Sequence, residues 1–328
     1  LEQRKGKGSS SITHKSKEKI MALKIIRATD AVKVSNLKVL IYGQPGLGKT
    51  SFGFTCPTPL CLDFDKGSFR SQQRKDYLEI ETWSDVMELM NSPETLAPYQ
   101  TVIIDTVGRC LDMITMHIIN HNPKMGNSNG ALSQKGWGEL KSIFQAWMRR
   151  LSLLNKDVVM ICHDKEDKDG DRVFKRPDVQ GGSYAEVMKS ADLIGYLGMR
   201  ENKKMIDFNP CDEFVAKNAA QFKAEVLPDF NANGLNYGAN LLSTAKKRLS
   251  SLSERVAEAA KVIEDWRIAI EGYSTPEQCT VALPQIIALS PEIAGQVKTL
   301  LNNRAKALGF GYNTDKKEFY KVQEASVA

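Results

Sequence analysis

The chain has 328 residues, 42% of them apolar and 26% charged, a composition that excludes wholesale disorder and a fibrous repeat and suits one large domain with a smaller attachment. No stretch holds the roughly 20 consecutive apolar residues that a membrane-crossing helix needs, and the N-terminal residues lack a signal-peptide core. The net charge is +6, but Arg4, Lys5, Lys7, Lys15, Lys17 and Lys19 outweigh Glu2 and Glu18 in the first 20 residues, so the basic balance is weak evidence for nucleic acid.

Residues 1–20 are Gly-, Ser- and Lys-rich without periodicity and are expected to be a disordered basic leader or an appended tail. A short strand is expected over 23–26. Residues 37–42 form a compact, largely apolar run, a strand that ends in Gly43 and a glycine-rich loop. The helix after that loop is short, because Pro57 and Pro59 limit it. Further strands are expected over 59–64, 77–80 and 101–104, the last ending at Asp105. An amphipathic helix fits 83–90, capped by Thr82 or Ser84, and a helical run follows Asp105 to about 120. Residues 123–136, rich in Gly, Asn and Ser, read as a mobile surface loop. A helix over 137–154 and a strand over 158–162 follow. Strands alternating with helices predict an α/β fold with a mostly parallel central sheet covered on both faces.

Residues 164–182 are charged and punctuated by glycine. A helix is expected over 184–190, then strands over 193–199 and 204–208 joined by Glu201, Asn202 and Lys203. The Asn- and Gly-rich stretch 228–238 marks a boundary. Beyond it the chain reads as almost wholly helical, with one apolar stripe over 241–270 and helices over 276–289 and 291–308, stopped by Gly309 and Gly311. The expected division is a core over 21–230 and a helical C-terminal region over 231–328. The six cysteines form no C-x-x-C pair and the four histidines are scattered, which argues against a zinc site and for a reduced, cytoplasmic setting.

Gly43, Gln44, Pro45, Gly46, Leu47, Gly48, Lys49 and Thr50 complete the pattern G-x-x-x-x-G-K-[ST] between a strand and a helix. Such a loop wraps its backbone N–H groups around phosphate, aided by the helix N-terminus, and Ser51 joins it in the first helical turn. Lys49 is expected to reach the β- and γ-phosphates and the Thr50 hydroxyl to ligate Mg²⁺. ATP with Mg²⁺ is the expected cofactor pair, with other triphosphates left open. Asp105, closing an apolar strand, is the second expected metal-site residue, and Thr106 could orient a water. For the acid that activates water, Asp65 at the end of the neighbouring strand is the first candidate and Asp63, on the same face by alternation, the second. His163, after the strand over 158–162, could bond the γ-phosphate or simply satisfy a loop carbonyl.

The order of elements resembles the RecA-like P-loop ATPases, and more narrowly the phage-encoded Sak-type single-strand annealing and recombination ATPases, AAA-type phage nucleotide-binding proteins. The resemblance covers about residues 36–210. It rests on the loop at 43–50, on Leu62-Asp63-Phe64-Asp65-Lys66-Gly67 and Val102-Ile103-Ile104-Asp105, on residues 134–138 entering a helix, on His163, and on Gln180-Gly181-Gly182-Ser183 before Ala191-Asp192-Leu193-Ile194. It implies a RecA-like core, to which the periodicity adds a C-terminal helical extension that the resemblance does not cover. Lys49, Asp65, Asp105 and His163 would be catalytic, with Asp65 activating water where such enzymes usually carry glutamate and His163 sensing the γ-phosphate. It also implies that residues 165–182 are a mobile loop contacting single-stranded DNA, and that Arg200, Lys203 and Lys204 reach a neighbouring subunit's nucleotide. The implied partners are single-stranded DNA, further copies in a ring or filament, and a phage or host single-strand binding protein.

Without the resemblance, the segment 165–182 is charge-balanced. Its cations Arg172, Lys175 and Arg176 cluster around Phe174, an arrangement that can stack on an unpaired base or be a solvated face. Lys246, Lys247 and Arg248 form a second basic cluster and Arg304 with Lys306 a third, surfaces that can meet nucleic acid or serve solubility alone, and Trp137 and Trp147 are expected to be packing groups. The expected activity is a Mg²⁺-dependent ATPase coupling hydrolysis to single-stranded DNA in recombination or annealing. The alternatives are an ATP-driven motor or helicase loader acting on a protein, a non-catalytic nucleotide-binding assembly protein, and a small-molecule kinase.

Overall fold

The computed structural model describes residues 25–71 and 73–322. The expected leader over 1–20 lies outside them, as does half of the strand expected over 23–26, whose Ile25 and Ile26 are exposed and outside any strand. The described residues fall into two compact units, Ala31–Val256 and a smaller one drawn from residues 25–30 and 257–322.

In chain order the larger unit contains β1 (Lys38–Gly43), α1 (Lys49–Phe54), β2 (Pro59–Asp63), β3 (Tyr77–Glu79), α2 (Trp83–Asn91), α3 (Pro93–Leu96), β4 (Thr101–Asp105) and α4 (Val107–His121). It continues with α5 (Gln134–Ser152), β5 (Asp157–Asp169), β6 (Arg172–Pro177), α6 (Ser183–Ser190), β7 (Leu193–Arg200), β8 (Lys203–Asp207), β9 (Lys217–Asn218), β10 (Glu225–Val226) and the start of α7 (Tyr237–Glu271). The sheet order is β10-β8-β7-β1-β5-β4-β2-β3, with β6 paired to β5 and β9 to β7. The strands from β7 to β3 along this path are mutually parallel, whereas β8, β10, β6 and β9 pair antiparallel. This is the expected mostly parallel sheet with helices on both faces.

Strand alternation explains why both faces hold. Leu40, Tyr42, Leu62, Ile104, Val158 and Met160 belong to one buried cluster with residues of α2, α4 and α5. Val39, Ile41, Cys61, Ile103, Val159 and Ile161, their neighbours in the period of two, belong to the other with Phe52 and Phe54 of α1 and Leu241, Leu242 and Ala245 of α7. Trp147 is buried edge-on to Trp83, with ring centroids 5.4 Å apart, a packing group as expected. The opening turns of α7 therefore belong to the larger unit. There Lys246 donates to the buried Asp157 carboxylate at 2.6 Å, and Arg248 donates to the carbonyls of Ala220 and Gln221 over the Phe222 ring. Lys246 and Arg248 fasten the helix, a structural duty beyond solubility.

Three segments differ from the sequence reading. Residues 164–177 are not a mobile loop: β5 continues to Asp169 and pairs with β6 from Asp164↔Pro177 to Asp169↔Arg172. The balanced charges that read as a solvated loop are pairs within this hairpin, Lys175 with Asp164 at 3.4 Å and Arg176 with Asp167. Residues 123–136 are also ordered. A short turn at Pro123–Met125 precedes a bridge between Gly126 and Leu132, Leu132 is buried, and Ser133 caps α5. The C-terminal region is not wholly helical either: after α8 (Pro276–Ile287) and α9 (Pro291–Ala307) comes a hairpin of β11 (Phe310–Asn313) and β12 (Glu318–Lys321). Phe319 of β12 is buried with Cys279, Leu283 and Val297, and its N–H donates to Thr280 Oγ1 at 2.8 Å. Among the described residues no helix is long and apolar enough to cross a membrane.

Candidate functional site

The loop between β1 and α1 begins at Gly43, where a Cβ would stand 2.2 Å from the Leu197 carbonyl oxygen of β7, so only glycine fits between these parallel strands. Behind it α1 starts at Lys49. The Lys49 Nζ, nearly buried, donates to the carbonyls of Gly43 and Gln44, each at 2.8 Å. Burial holds this amine below its ordinary pKa, and the charges of Asp105 and Asp164 oppose that shift. The Thr50 hydroxyl donates to Asp105 Oδ2 at 2.6 Å. Asp105 is 6% exposed, and burial pushes its carboxyl up to about 6, with the Thr50 hydrogen bond acting against the shift and the charges of Asp65 and Asp63 adding to it.

Sheet order brings the loop and the acid together. β5 lies between β1 and β4, and register sets Gly43 beside His163 and Asp105 beside Ile161. A cavity of about 320 Å³ is lined by Pro45, Gly46 and the loop residues from Gly48 to Ser51 and by Asp65, Asp105, Thr106 and His163. A second, of about 470 Å³, continues from Asp65 and His163 to Arg109, Asp112, Asp178 and Gln180. On the loop's other side a third, of about 540 Å³, is lined by Leu47, Lys203, Lys204, Leu227 and Phe230.

The two candidate acids separate. Asp63, at the end of β2, is 1% exposed and accepts the N–H groups of Gly67 at 3.2 Å and Ser68 at 2.8 Å. Asp65 lies past the strand end, outside the alternation that was to put both on one face, and it lines the first two cavities. It stands 3.2 Å from Arg109 Nε and 3.9 Å from His163 Nε2. Burial, and next the charge of Lys49, hold the His163 imidazole below its ordinary pKa. It is therefore neutral at pH 7, and its approach to Asp65 is not an ion pair. His163 Nδ1 is buried with no hydrogen-bond partner among the described residues. The Thr106 hydroxyl caps α4 by accepting the Arg109 N–H at 3.4 Å.

The remaining candidates are placed otherwise. Arg172 donates to the carbonyls of Asp212 and Cys211 and lies over the Phe174 ring. Lys175 and Arg176 hold the hairpin carboxylates described above. Arg200 is 3.8 Å from Glu213, and Lys204 Nζ donates to the Gly46 carbonyl of its own loop at 3.3 Å. Arg109, which bridges Asp65 and Asp112, went unnoticed in the sequence. A cation in the first turn of a helix opposes the helix dipole, and that was the available signal.

The donor set suits Mg²⁺. Thr50 and Asp105 offer oxygen only, and Asp105 is a buried carboxylate whose sole side-chain partner among the described residues is that hydroxyl. Among the described residues no group of three or more His, Cys, Asp or Glu side chains could hold a metal ion.

A family model described as an AAA domain matches residues 35–220. The chain is also similar to an SPbeta prophage-derived uncharacterized protein, YorG, of Bacillus subtilis (strain 168), with 26% identity over 234 residues, covering 66% of this chain and 70% of that protein. Among solved structures it matches a KaiC-like protein of the archaeon Pyrococcus horikoshii OT3 at 10% identity and a TM-score of 0.34, covering 54% of this chain and 86% of the other.

Proposed function

Because the chain belongs to the AAA domain family and carries a RecA-like P-loop core, we propose that it binds ATP with Mg²⁺ and hydrolyses the terminal phosphoanhydride. The observation that carries this reading is the 2.6 Å contact between Thr50 Oγ1 and Asp105 Oδ2 at the mouth of the loop that holds Lys49. A chance glycine turn would account for neither residue.

In this reading the loop amides and the α1 N-terminus take the phosphates, and Lys49 exchanges its two carbonyl contacts for phosphate oxygens. Bound Mg²⁺, held by Thr50 and by Asp105 through water, would offset charge on the phosphates. Asp65 accepts a proton from the attacking water as its oxygen bonds to the γ-phosphorus. The bond to the β-phosphate oxygen breaks, leaving ADP and phosphate. Arg109 orients the Asp65 carboxylate, and the neutral His163 offers a ring nitrogen on the same side. Lys49→Ala is expected to abolish ATP binding by calorimetry. Asp65→Asn is expected to keep affinity within a few-fold while phosphate release falls by about 100-fold; unchanged release would remove Asp65 from the role.

The finer reading couples this site to single-stranded DNA, as in the phage-encoded Sak-type ATPases that the chain resembles. Two features support the coupling. β5 runs without a break from His163 into the β5–β6 hairpin. The Tyr42 hydroxyl, one residue before the loop, donates to the Val215 carbonyl at 2.6 Å and lies 3.2 Å from that of Lys175 in β6. The hairpin presents Val173, half exposed, beside the stacked pair of Arg172 and Phe174. Self-association belongs to the same reading.

A further inference from the structure

The turn Ser68–Arg70 after β2 carries a cation to which the reading above gives no duty. Arg70 lines all three cavities that meet around the glycine loop, and it is the one residue common to them. Its mount is pinned on both sides. Toward β2, the buried Asp63 carboxylate holds the Gly67 and Ser68 amides, and the Arg70 N–H donates to the Gly67 carbonyl at 3.1 Å. Toward the loop, Ser71 Oγ is 3.1 Å from Ser51 Oγ in the first turn of α1. A Cβ at Gly67 would stand 2.5 Å from Arg70 Nη2, so the guanidinium folds back across that glycine.

Two other basic groups beside the loop are engaged. Lys49 sits on the loop carbonyls, and Arg109 is divided between Asp65 and Asp112. Arg70 shares its cavities with Asp65, Asp105, Asp112 and Asp178, yet it makes no ion pair among the described residues and rests 5.3 Å over the Phe69 ring centroid. An arginine in a carboxylate-rich cleft, tied to none of those carboxylates and set on a turn braced against the phosphate loop, keeps its fork of N–H donors for an incoming anion.

We propose that Arg70 places its guanidinium on the transferring phosphoryl oxygens of the triphosphate bound by its own chain, so that the chemistry needs no cation from a neighbouring copy. This rests on the ATPase reading above and departs from the expectation that Arg200, Lys203 or Lys204 acts across a subunit boundary. Charge shifts onto the phosphoryl and bridging oxygens as the bond to the leaving group breaks, and a positioned guanidinium strengthens its hold at that moment rather than in the ground state.

The test uses the full chain. Arg70→Ala is expected to lower kcat by about 100-fold or more and to leave ADP affinity by calorimetry within a few-fold, while Arg70→Lys recovers only a small part of the rate. Mixing Arg70→Ala copies with Lys49→Ala copies, which keep Arg70 but lack the loop lysine, is expected to restore nothing. Restored hydrolysis on mixing would show that the cation acts between copies and would overturn the proposal. An Arg70→Ala rate equal to that of an active wild-type protein would overturn it as well while sparing the ATPase reading. Wild-type protein that binds no triphosphate would overturn both.

Discussion

Asp63 and Asp65 are two residues apart and do different work, because β2 ends between them. The earlier carboxylate turns inward and holds two backbone amides, whereas the later one reaches the cavity. Asp105 shows the same dependence on surroundings. Its carboxyl is pushed up to about 6, above the unfolded value, so in metal- and nucleotide-free protein its contribution to stability is full below about pH 4 and lost as pH rises through about 6. Asp105→Asn, which cannot ionise but can still accept from Thr50, is expected to flatten stability between pH 4 and 6. It is also expected to raise stability at pH 7 by roughly 2 kcal/mol, read from urea unfolding at a series of pH values. The loop residues and Asp105 were legible because each is declared by its own neighbours, a glycine pattern in one case and an apolar run ending in an acid in the other. Arg70 and Arg109 were not, because each reaches the site from a segment whose local sequence says nothing of the sheet order that delivers it there.

At the scale of elements, the β5–β6 hairpin shows how a strand pair can read as a loop. Its apolar content is low, and its ion pairs, Lys175 with Asp164 and Arg176 with Asp167, run diagonally across the ladder, two positions off direct register, a pairing invisible until the register is known. That pairing has a functional cost, since cations already answered by Asp164, Asp167 and Asp212 attract a polyanion weakly. Replacing Arg172, Lys175 and Arg176 together by Ala is expected to weaken single-stranded DNA binding and to lower its shallow salt slope by no more than about 2. A salt slope identical to that of the wild type would take the hairpin out of the interface. The contact of α7 with β5 is a second case. Lys246→Met leaves the Asp157 carboxylate buried with the Leu37 amide at 2.8 Å as its other hydrogen bond. It is expected to cost about 3 kcal/mol in denaturant unfolding, and Asp157→Asn added to it is expected to recover much of that loss.

For the whole molecule, the division into two units follows the hydrophobic clusters. Every residue of the candidate site lies within Ala31–Val256, and the cluster built from α8, α9 and β12 starts at Ile263. A chain stopped after Val256 is therefore expected to keep full ATP affinity by calorimetry; a loss of ten-fold or more would tie the C-terminal region to the site. The Asn- and Gly-rich stretch over 228–238 looked like the natural break, but the compact unit runs on to Val256, since the first turns of α7 carry Leu241, Leu242 and Ala245 into the core. The placement of β5 has one more consequence. With a single strand between the loop strand and the Asp105 strand, backbone spacing alone holds the phosphate-binding and carboxylate walls roughly 10 Å apart. That gauge is set by interstrand hydrogen bonds and is indifferent to side-chain identity. The distance from cradle to carboxylate therefore stays the same when the side chains around the two walls are exchanged.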